Sequence, residues 1–345
     1  MNEAKFFLPF ALSFLLSVAF LSSVTFLSGK FLPWVRDEAG RTHKRISRFG
    51  GVALVLAFVS AVVANTDLEI TPQLTGLLLG ASFILVVGFL DDVTPVSWTT
   101  QLLFQVGLGA LIFLFGMRAW VLTNPFGDPI FLRPEQWPIP SLLIGILWTV
   151  LVMNAVNWAD GVDGLLGSVA TVAFTAIFLV SLRPDVNQPA VAILAAVSIG
   201  FSVGFLLFNI PPARIIAGTA GAFLVGFLIA ALSLFSGAKI ATALLVLSVP
   251  VLDALFVVHD RLRAGESPFR GGDARHLHDR LRGIGWSDRR IVFVYAVISA
   301  TSAAAALFLP ALGKFFFLAA LALAFIFFVS AVKRKLGGRS DVLRA

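Results

Sequence analysis

The stretch Asn154-Ala155-Val156-Asn157-Trp158-Ala159-Asp160-Gly161-Val162-Asp163-Gly164-Leu165 follows directly on the apolar run Ser141 to Met153. Two carboxamides and two carboxylates recur at three-residue spacing in a chain that otherwise avoids polar side chains, and membrane proteins put such groups where function needs them. On one uninterrupted helix each step of three turns about 300°, so the four side chains would fan over roughly half the circumference and could not converge. Gly161 and Gly164 predict instead that the helix ends near Asn157. The segment from Asp160 to Gly164 then curls as a loop whose backbone approaches a ligand closely. The competing reading is an ordinary helix C-terminus followed by a polar turn.

Outward from this stretch the chain reads as spans. Of its 345 residues, 58% are hydrophobic and 13% charged, against roughly 25% charged in soluble domains. This composition excludes a soluble globular class and predicts an all-α, polytopic integral membrane protein. Nearly every residue falls in a span or a short connection, so one domain is expected over 1–345. The net charge of +7 lies among aliphatic and Phe-rich segments, which points to membrane lipids and not to nucleic acid. With no cysteine, disulfides, thiolate metal sites and a cysteine nucleophile are ruled out. The first apolar run, from Phe6 to Gly29, is too long for a signal-peptide core and is kept as a span.

Apolar windows bounded by Gly, Pro or charge give eleven candidate spans: 6–29, 50–65, 73–90, 99–117, 141–157, 164–182, 189–208, 219–236, 239–258, 291–310 and 312–332. With the N-terminus outside, the loops after odd-numbered spans and the C-terminal tail hold 20 of the 26 Lys and Arg. Lys5, Arg118, Arg133, Arg183, Lys239 and Lys314 are left on the other side. The positive-inside rule puts the basic side, and the C-terminus, in the cytoplasm. Loops 30–49, 91–98, 158–163, 209–218 and 259–290 all fall there and are expected to form one site. The opposite face offers Arg118 to Pro140, read as a short extended excursion. The terminal Lys333-Arg334-Lys335 reads as a membrane-surface anchor.

Several residues carry candidate chemistry. Asp91 and Asp92 end the third span. Adjacent carboxylates repel, so the pair calls for a cation, a proton-transfer task or a basic neighbour, unless it only marks where the span leaves the bilayer. The loop from His259 to Arg290 holds eight arginines and three of the four histidines, His259, His276 and His278. Arginine and histidine over Gly271-Gly272 suit phosphate, because the guanidinium fork fits phosphate oxygens in pairs. Zinc on His276 and His278 is a rival with poor spacing, and a lipid-facing basic loop is another. The first basic loop holds Arg36, Asp37, Arg41, His43, Lys44, Arg45 and Arg48 ahead of Phe49-Gly50-Gly51. Asp253, three residues after Pro250 in the ninth span, is an intramembrane acid and a functional candidate by default.

Together these motifs resemble the polyprenyl-phosphate N-acetylhexosamine-1-phosphate transferase superfamily, over about Phe31 to Tyr295. The resemblance is carried by the Arg41 to Gly51 loop, Gly88 to Asp92, Asn154 to Leu165, Pro211 to Gly226 and Ser267 to Leu281. The specific part is the pattern Asn-x-x-Asn-x-x-Asp-Gly-x-Asp-Gly-Leu. The Arg275-His276-Leu277-His278 form looks closer to the polysaccharide-initiating branch than to the peptidoglycan translocase. The resemblance implies about ten or eleven spans and a cytoplasmic cleft in the bacterial inner membrane. The implied reaction is magnesium-dependent transfer of a sugar-1-phosphate from a UDP-N-acetylhexosamine to undecaprenyl or another polyprenyl phosphate, releasing UMP. The resemblance leaves room for manganese in place of magnesium and for a homodimer.

Residue by residue, the resemblance implies that Asp91 and Asp92 are catalytic, one of them deprotonating or positioning the attacking lipid phosphate. Asn157 matches a magnesium contact. Asn154, Asp160, Gly161 and Asp163 match the part that holds the nucleotide, and Arg275, His276 and His278 match the loop on the pyrophosphate. Thr219 stands where the superfamily has its metal-binding Asp, and Asp279 replaces the last histidine of the His motif. A threonine offers only a neutral oxygen, so the metal loses a formal charge there. Asp91, Asp92 or Asp279 is the expected compensating ligand. Two other readings stand beside the transferase. One is a catalytically impaired homologue that binds nucleotide-sugar or lipid phosphate. The other is a transporter, which would place its polar groups near the midplane and not at one interface.

Overall fold

The structure is a computed structural model that describes residues 4–28, 46–235, 240–269 and 274–337. The basic-loop residues Arg36, Asp37, Arg41, His43, Lys44 and Arg45, and Arg270-Gly271-Gly272-Asp273 of the long loop, lie outside the described residues. The architecture is helical. In chain order it runs α1 (Ala4–Ser28), α2 (Gly50–Val63), α3 (Pro72–Val93), α4 (Trp98–Leu114), β1 (Val121–Leu122), β2 (Ile130–Phe131), α5 (Pro138–Ala159), α6 (Leu165–Ser181) and α7 (Pro189–Asn209). It continues with α8 (Gly218–Phe235), α9 (Ile240–Val246), α10 (Ser248–Arg263), α11 (Leu277–Gly283), α12 (Asp288–Phe308) and α13 (Ala311–Gly337).

Each predicted window contains helix, but not every window is a full span. Seven helices, α1, α3, α5, α7, α8, α12 and α13, are long and apolar enough to cross a membrane. The chain is thus a polytopic helical membrane protein. Three windows hold shorter apolar helices: α2 of 14 residues and α4 and α6 of 17 each. The ninth window, expected as one span over 239–258, is two helices, α9 and α10, bent by 80°. Pro250 accounts for the break. It has no N–H to return to Val246, and a proline is tolerated only in the first turn of a helix, where α10 carries it. Among the described residues seven helices, or eight with the bent pair counted as one span, are long and apolar enough to cross, and the three shorter apolar helices make up the rest of the eleven windows. The excursion read over 118–140 is extended in part: β1 and β2, two residues each, pair antiparallel with Val121 opposite Phe131, while α5 already begins at Pro138.

Helix starts follow the local chemistry. Thr71 accepts from Leu74 N ahead of α3, Ser97 from Thr100 N ahead of α4, and Ser287 from Arg290 N ahead of α12. Each hydroxyl satisfies one of the orphan donors of a first turn. Prolines open α3, α5 and α7, where a missing N–H costs nothing. The interior of the bundle is α8, surrounded by α2, α3, α5, α6, α7 and α9. Its Gly, Ala and Ser positions let neighbouring backbones approach, the usual basis of helix association in lipid. One interhelical hydrogen bond is buried deep in this packing, from Trp148 Nε1 on α5 to Ser233 Oγ on α8 at 2.8 Å. Around this packed centre the ends of α3, α5, α7 and α10 and the start of α8 carry the polar residues.

Candidate active site

The polar groups are organised by the connection from Asn209 to Thr219. At its start Asn209, buried at the end of α7, accepts from Gly164 N at 2.7 Å and donates to Ile215 O at 2.9 Å. Asp163 Oδ2 accepts from Ala213 N at 2.9 Å. Ile216 N donates to Ser47 O, while Gly50 N and Gly51 N donate to Ile216 O and Ala217 O. The segment entering α2 is thereby tied down. At the far end α8 begins against the paired aspartates of α3.

There Thr219 touches both acids. Its backbone N–H donates to Asp92 Oδ1 at 2.7 Å, and its hydroxyl donates to Asp91 Oδ2 at 2.5 Å. Ala220 N donates to Asp92 Oδ2 at 3.3 Å. Asp91 Oδ1 takes Val96 N at 2.8 Å and Gln101 Nε2 of α4 at 2.9 Å. Asp92, 5% exposed, is held by the first turn of α8, whose free N–H groups and dipole favour a carboxylate. Gly218 makes this approach available. Its φ is +65°, and a Cβ there would lie 2.6 Å from both Asp92 oxygens, so the position is closed to other residues on two counts. The adjacency of two acids, costly in isolation, is met here by hydrogen-bond donors.

The opening stretch lands close to expectation, with the helix two residues longer than predicted. α5 runs through Asn157 and Trp158 to Ala159, and Asp160 to Gly164 forms the loop, Gly164 leaving it at φ +82°. The four polar side chains diverge. Asn154 donates to Gln105 Oε1 of α4 and to Val150 O, which makes it a brace between helices. Asn157 is half-buried in the last turn of α5, and its carboxamide has no hydrogen-bond partner among the described residues. Asp160 closes the helix, its N–H donating to Asn157 O, and Asp163 holds Ala213.

Gly161 faces the long basic loop. A Cβ on it would lie 2.2 Å from His278 Nε2, and Arg282 Nη1 donates to Gly161 O at 3.0 Å. His278 is buried, packed on this glycine with Asp279 Oδ2 3.3 Å from Nε2. Asp279 also faces Arg282 at 3.7 Å, and Arg282 is bound in a fork to Asp288 at 2.6 and 2.9 Å. Arg275 pairs with Glu266 at 2.9 Å. His276, also buried, has Nδ1 2.8 Å from Asp253 Oδ2. The second histidine and Asp279 therefore brace the loop, and the acid is engaged by its own neighbours.

An aromatic series links the two halves. Trp98, at the start of α4, stacks on Phe269 at 5.6 Å; Phe269 meets Trp158 at 6.4 Å; and Trp158 meets His276 at 5.7 Å. Buried Arg261 lies over Trp158 at 5.2 Å and donates to Pro268 O. Contacts thus close a ring: Thr219 to Asp91, Gln101 and Trp98 on α4, Phe269, Trp158, the histidines, Gly161, Asp163, and back through the 209–219 connection. Gln101, Asn209, Trp98, Phe269, Glu266 and Arg282 were not singled out from sequence. Asn209 had a readable signal, a carboxamide ending a long apolar run; the others read as ordinary interface residues.

Among the described residues no group of three or more His, Asp or Glu side chains is arranged to hold a metal ion. Magnesium does not require one: it takes one or two carboxylates and fills its octahedron with substrate oxygens and water. Asp91 and Asp92 each retain lone pairs beyond the bonds described, and Asn157 brings a free carboxamide oxygen. Asp91, Asp92 and Asn157 are oxygen donors of the kind that magnesium takes together with substrate oxygens and water.

Comparison with known proteins gives one family match, to the model described as glycosyl transferase family 4, over residues 74–237. The chain is 30% identical over 266 residues to a probable undecaprenyl-phosphate N-acetylglucosaminyl 1-phosphate transferase of Bacillus subtilis (strain 168), covering 75% of this chain and 72% of that protein. It is 32% identical over 297 residues to the decaprenyl-phosphate N-acetylglucosaminephosphotransferase of Mycobacterium tuberculosis (strain ATCC 25618 / H37Rv), covering 76% and 72%. A phospho-N-acetylmuramoyl-pentapeptide-transferase of Geobacillus kaustophilus (strain HTA426) is 27% identical over 323 residues, covering 86% and 94%.

Proposed function

The chain belongs to glycosyl transferase family 4, and from that premise we propose that it transfers N-acetylhexosamine-1-phosphate from a UDP-sugar to a polyprenyl phosphate. The reaction would run at the cytoplasmic end of the helices in a bacterial inner membrane, as the first step of an envelope polysaccharide. The observation that carries the reading is the ring of contacts joining Asp91, Asp92, Thr219, Asp163, Gly161 and His276 at one end of the bundle.

In this reading an oxygen of the lipid phosphate attacks the phosphorus attached to the sugar. A new P–O bond forms, the bond from that phosphorus to the bridging oxygen breaks, and UMP leaves with the electron pair. Positioning and charge compensation supply most of the rate in such transfers. Asp91, fixed by Val96, Gln101 and Thr219, orients the lipid phosphate and receives its proton where one is present. Asp92 is committed to the start of α8 and keeps that helix end in register with α3. Magnesium, held by Asp91 and Asn157 and by the phosphates, would offset the charge of the pyrophosphate. The His276 ring and Arg275 face the nucleotide side, and Asp160 to Asp163 hold the nucleotide.

The test is UMP release by the purified protein given UDP-N-acetylglucosamine or related UDP-sugars with polyprenyl phosphate and magnesium. Thr219 favours one second reading, a homologue that binds without turnover, because its hydroxyl occupies Asp91 Oδ2. Calorimetric binding of a UDP-sugar with no UMP production from any donor would support that reading over the first.

A further inference from the structure

Asp253 lies on α10, away from the paired aspartates, and is 5% exposed. An acid so buried must have its oxygens satisfied, and both are: Oδ1 accepts from Leu277 N at 2.7 Å, and Oδ2 lies 2.8 Å from His276 Nδ1. An ionised carboxylate only accepts hydrogen bonds, so the ring nitrogen facing it carries the proton. His276 is then constrained on three sides. Asp253 holds one edge, His278 stacks parallel at 5.5 Å with 3° between planes, and Trp158 closes in at 5.7 Å. Nε2 has no hydrogen-bond partner among the described residues.

We propose that Asp253 is a positioning residue of the site, holding Nδ1–H of His276 toward the carboxylate so that Nε2 is the ring atom presented to the phosphates of the nucleotide-sugar, to which it donates once the ring takes a second proton. The logic is that of histidines at metal and hydrolase sites, where a carboxylate on one ring nitrogen sets what the other can do. Here the carboxylate does two things at once, because the bond to Leu277 N also fixes where α11 begins. A one-residue shift of that helix would carry His278 off Gly161. The 80° bend between α9 and α10 sets the direction from which Asp253 reaches the loop. This inference rests on the transferase reading for the identity of the ligand, but its geometric content does not.

The experiment uses the full chain in lipid nanodiscs with Asp253→Asn, His276→Gln and the double variant, and Asp253→Glu as the carboxylate-retaining control. Three readouts are taken. Nitrogen-15 spectra of the four histidines, with His276 assigned by its loss in His276→Gln, report which ring nitrogen holds the proton. Calorimetry reports affinity for UDP-N-acetylglucosamine, and UMP release reports turnover. In the wild type His276 is protonated at Nδ1, and Asp253→Asn mixes the tautomers.

Asp253→Asn lowers kcat/KM for the UDP-sugar about 10- to 100-fold, the usual scale for losing such a partner. The KM for polyprenyl phosphate stays unchanged. Asp253→Glu recovers part of the loss, and the double variant is no worse than the poorer single one, as for two residues acting as a unit. Losses that multiply in the double variant, an equal rise in both KM values, or a wild-type His276 with no proton on Nδ1 each overturn the proposal. A wild type that releases no UMP with any donor defeats the transferase reading instead, and the spectra then decide Asp253 alone. Should Asp253→Asn fail to fold, Asp253→Glu and His276→Gln carry the same comparisons.

Discussion

Thr219 donates its hydroxyl proton to Asp91 across 2.5 Å, linking the first turn of α8 to the last turns of α3. The same residue gives its backbone N–H to Asp92, so one residue supplies a donor to each of two adjacent acids. An aspartate in its place would keep the N–H but bring a third carboxylate against Asp91, which repels unless a cation lies between them.

Thr219→Asp therefore makes stability depend on magnesium. The melting temperature of this variant rises steeply with magnesium and falls below that of the wild type when the ion is chelated, through binding to the folded state alone. Thr219→Val, which loses only the hydroxyl, costs about 1 kcal/mol and stays insensitive to magnesium. Thermal melts over a magnesium series separate the two.

Gly161→Ala puts a methyl into the His278 ring, 2.2 Å from Nε2. Overpacking of this kind costs about 1–3 kcal/mol, and here it also displaces the nucleotide loop. Denaturation midpoint and UDP-sugar affinity fall together, and adding His278→Ala restores stability without restoring affinity. If Gly161→Ala binds nucleotide like the wild type, the loop does not approach the ligand as described.

Asp163→Ala leaves the partly buried Ala213 N without its acceptor, and losing a hydrogen bond of this kind costs about 0.5–1.5 kcal/mol. Asn209→Ala removes two bonds from the same connection. Because both residues hold one segment, their effects are not additive. A double variant whose melting temperature falls by the sum of the single drops would contradict this coupling.

Lys333, read from sequence as a surface anchor, sits 2.6 Å from Asp260, which also pairs with Arg280 at 3.0 Å. Asp260→Asn removes both pairs and loosens α13 from α10 and α11. Proteolysis of the last helix accelerates while UMP release changes little, and protection equal to the wild type would show that α13 is held by apolar packing alone.

The helices were legible because apolar runs between Gly, Pro and charge obey a length rule imposed by the bilayer. The bend at Leu247 was not, although Pro250 pointed to it, because hydropathy is blind to direction. Adjacent Asp91 and Asp92, and the spacing from Asn154 to Asp163, marked places of constraint, where the folded chain holds each carboxylate with hydrogen-bond donors or a neighbouring loop. Which polar group braces a neighbouring helix or loop could not be read. Asn154 and His278 look identical in pattern to Asn157 and His276, and only packing against Gln105 and Gly161 separates them. Thr219 read as a missing ligand; folded, it is the partner of both acids.

UMP release from UDP-N-acetylglucosamine and polyprenyl phosphate, measured for the wild type and Asp91→Asn, is the decisive test of transferase activity. Release is expected to require both substrates and magnesium and to fall about 100-fold or more in Asp91→Asn, the scale of a lost proton-transfer or positioning group. Absence of UMP release with every UDP-sugar tested, or turnover unchanged in Asp91→Asn, would contradict this expectation.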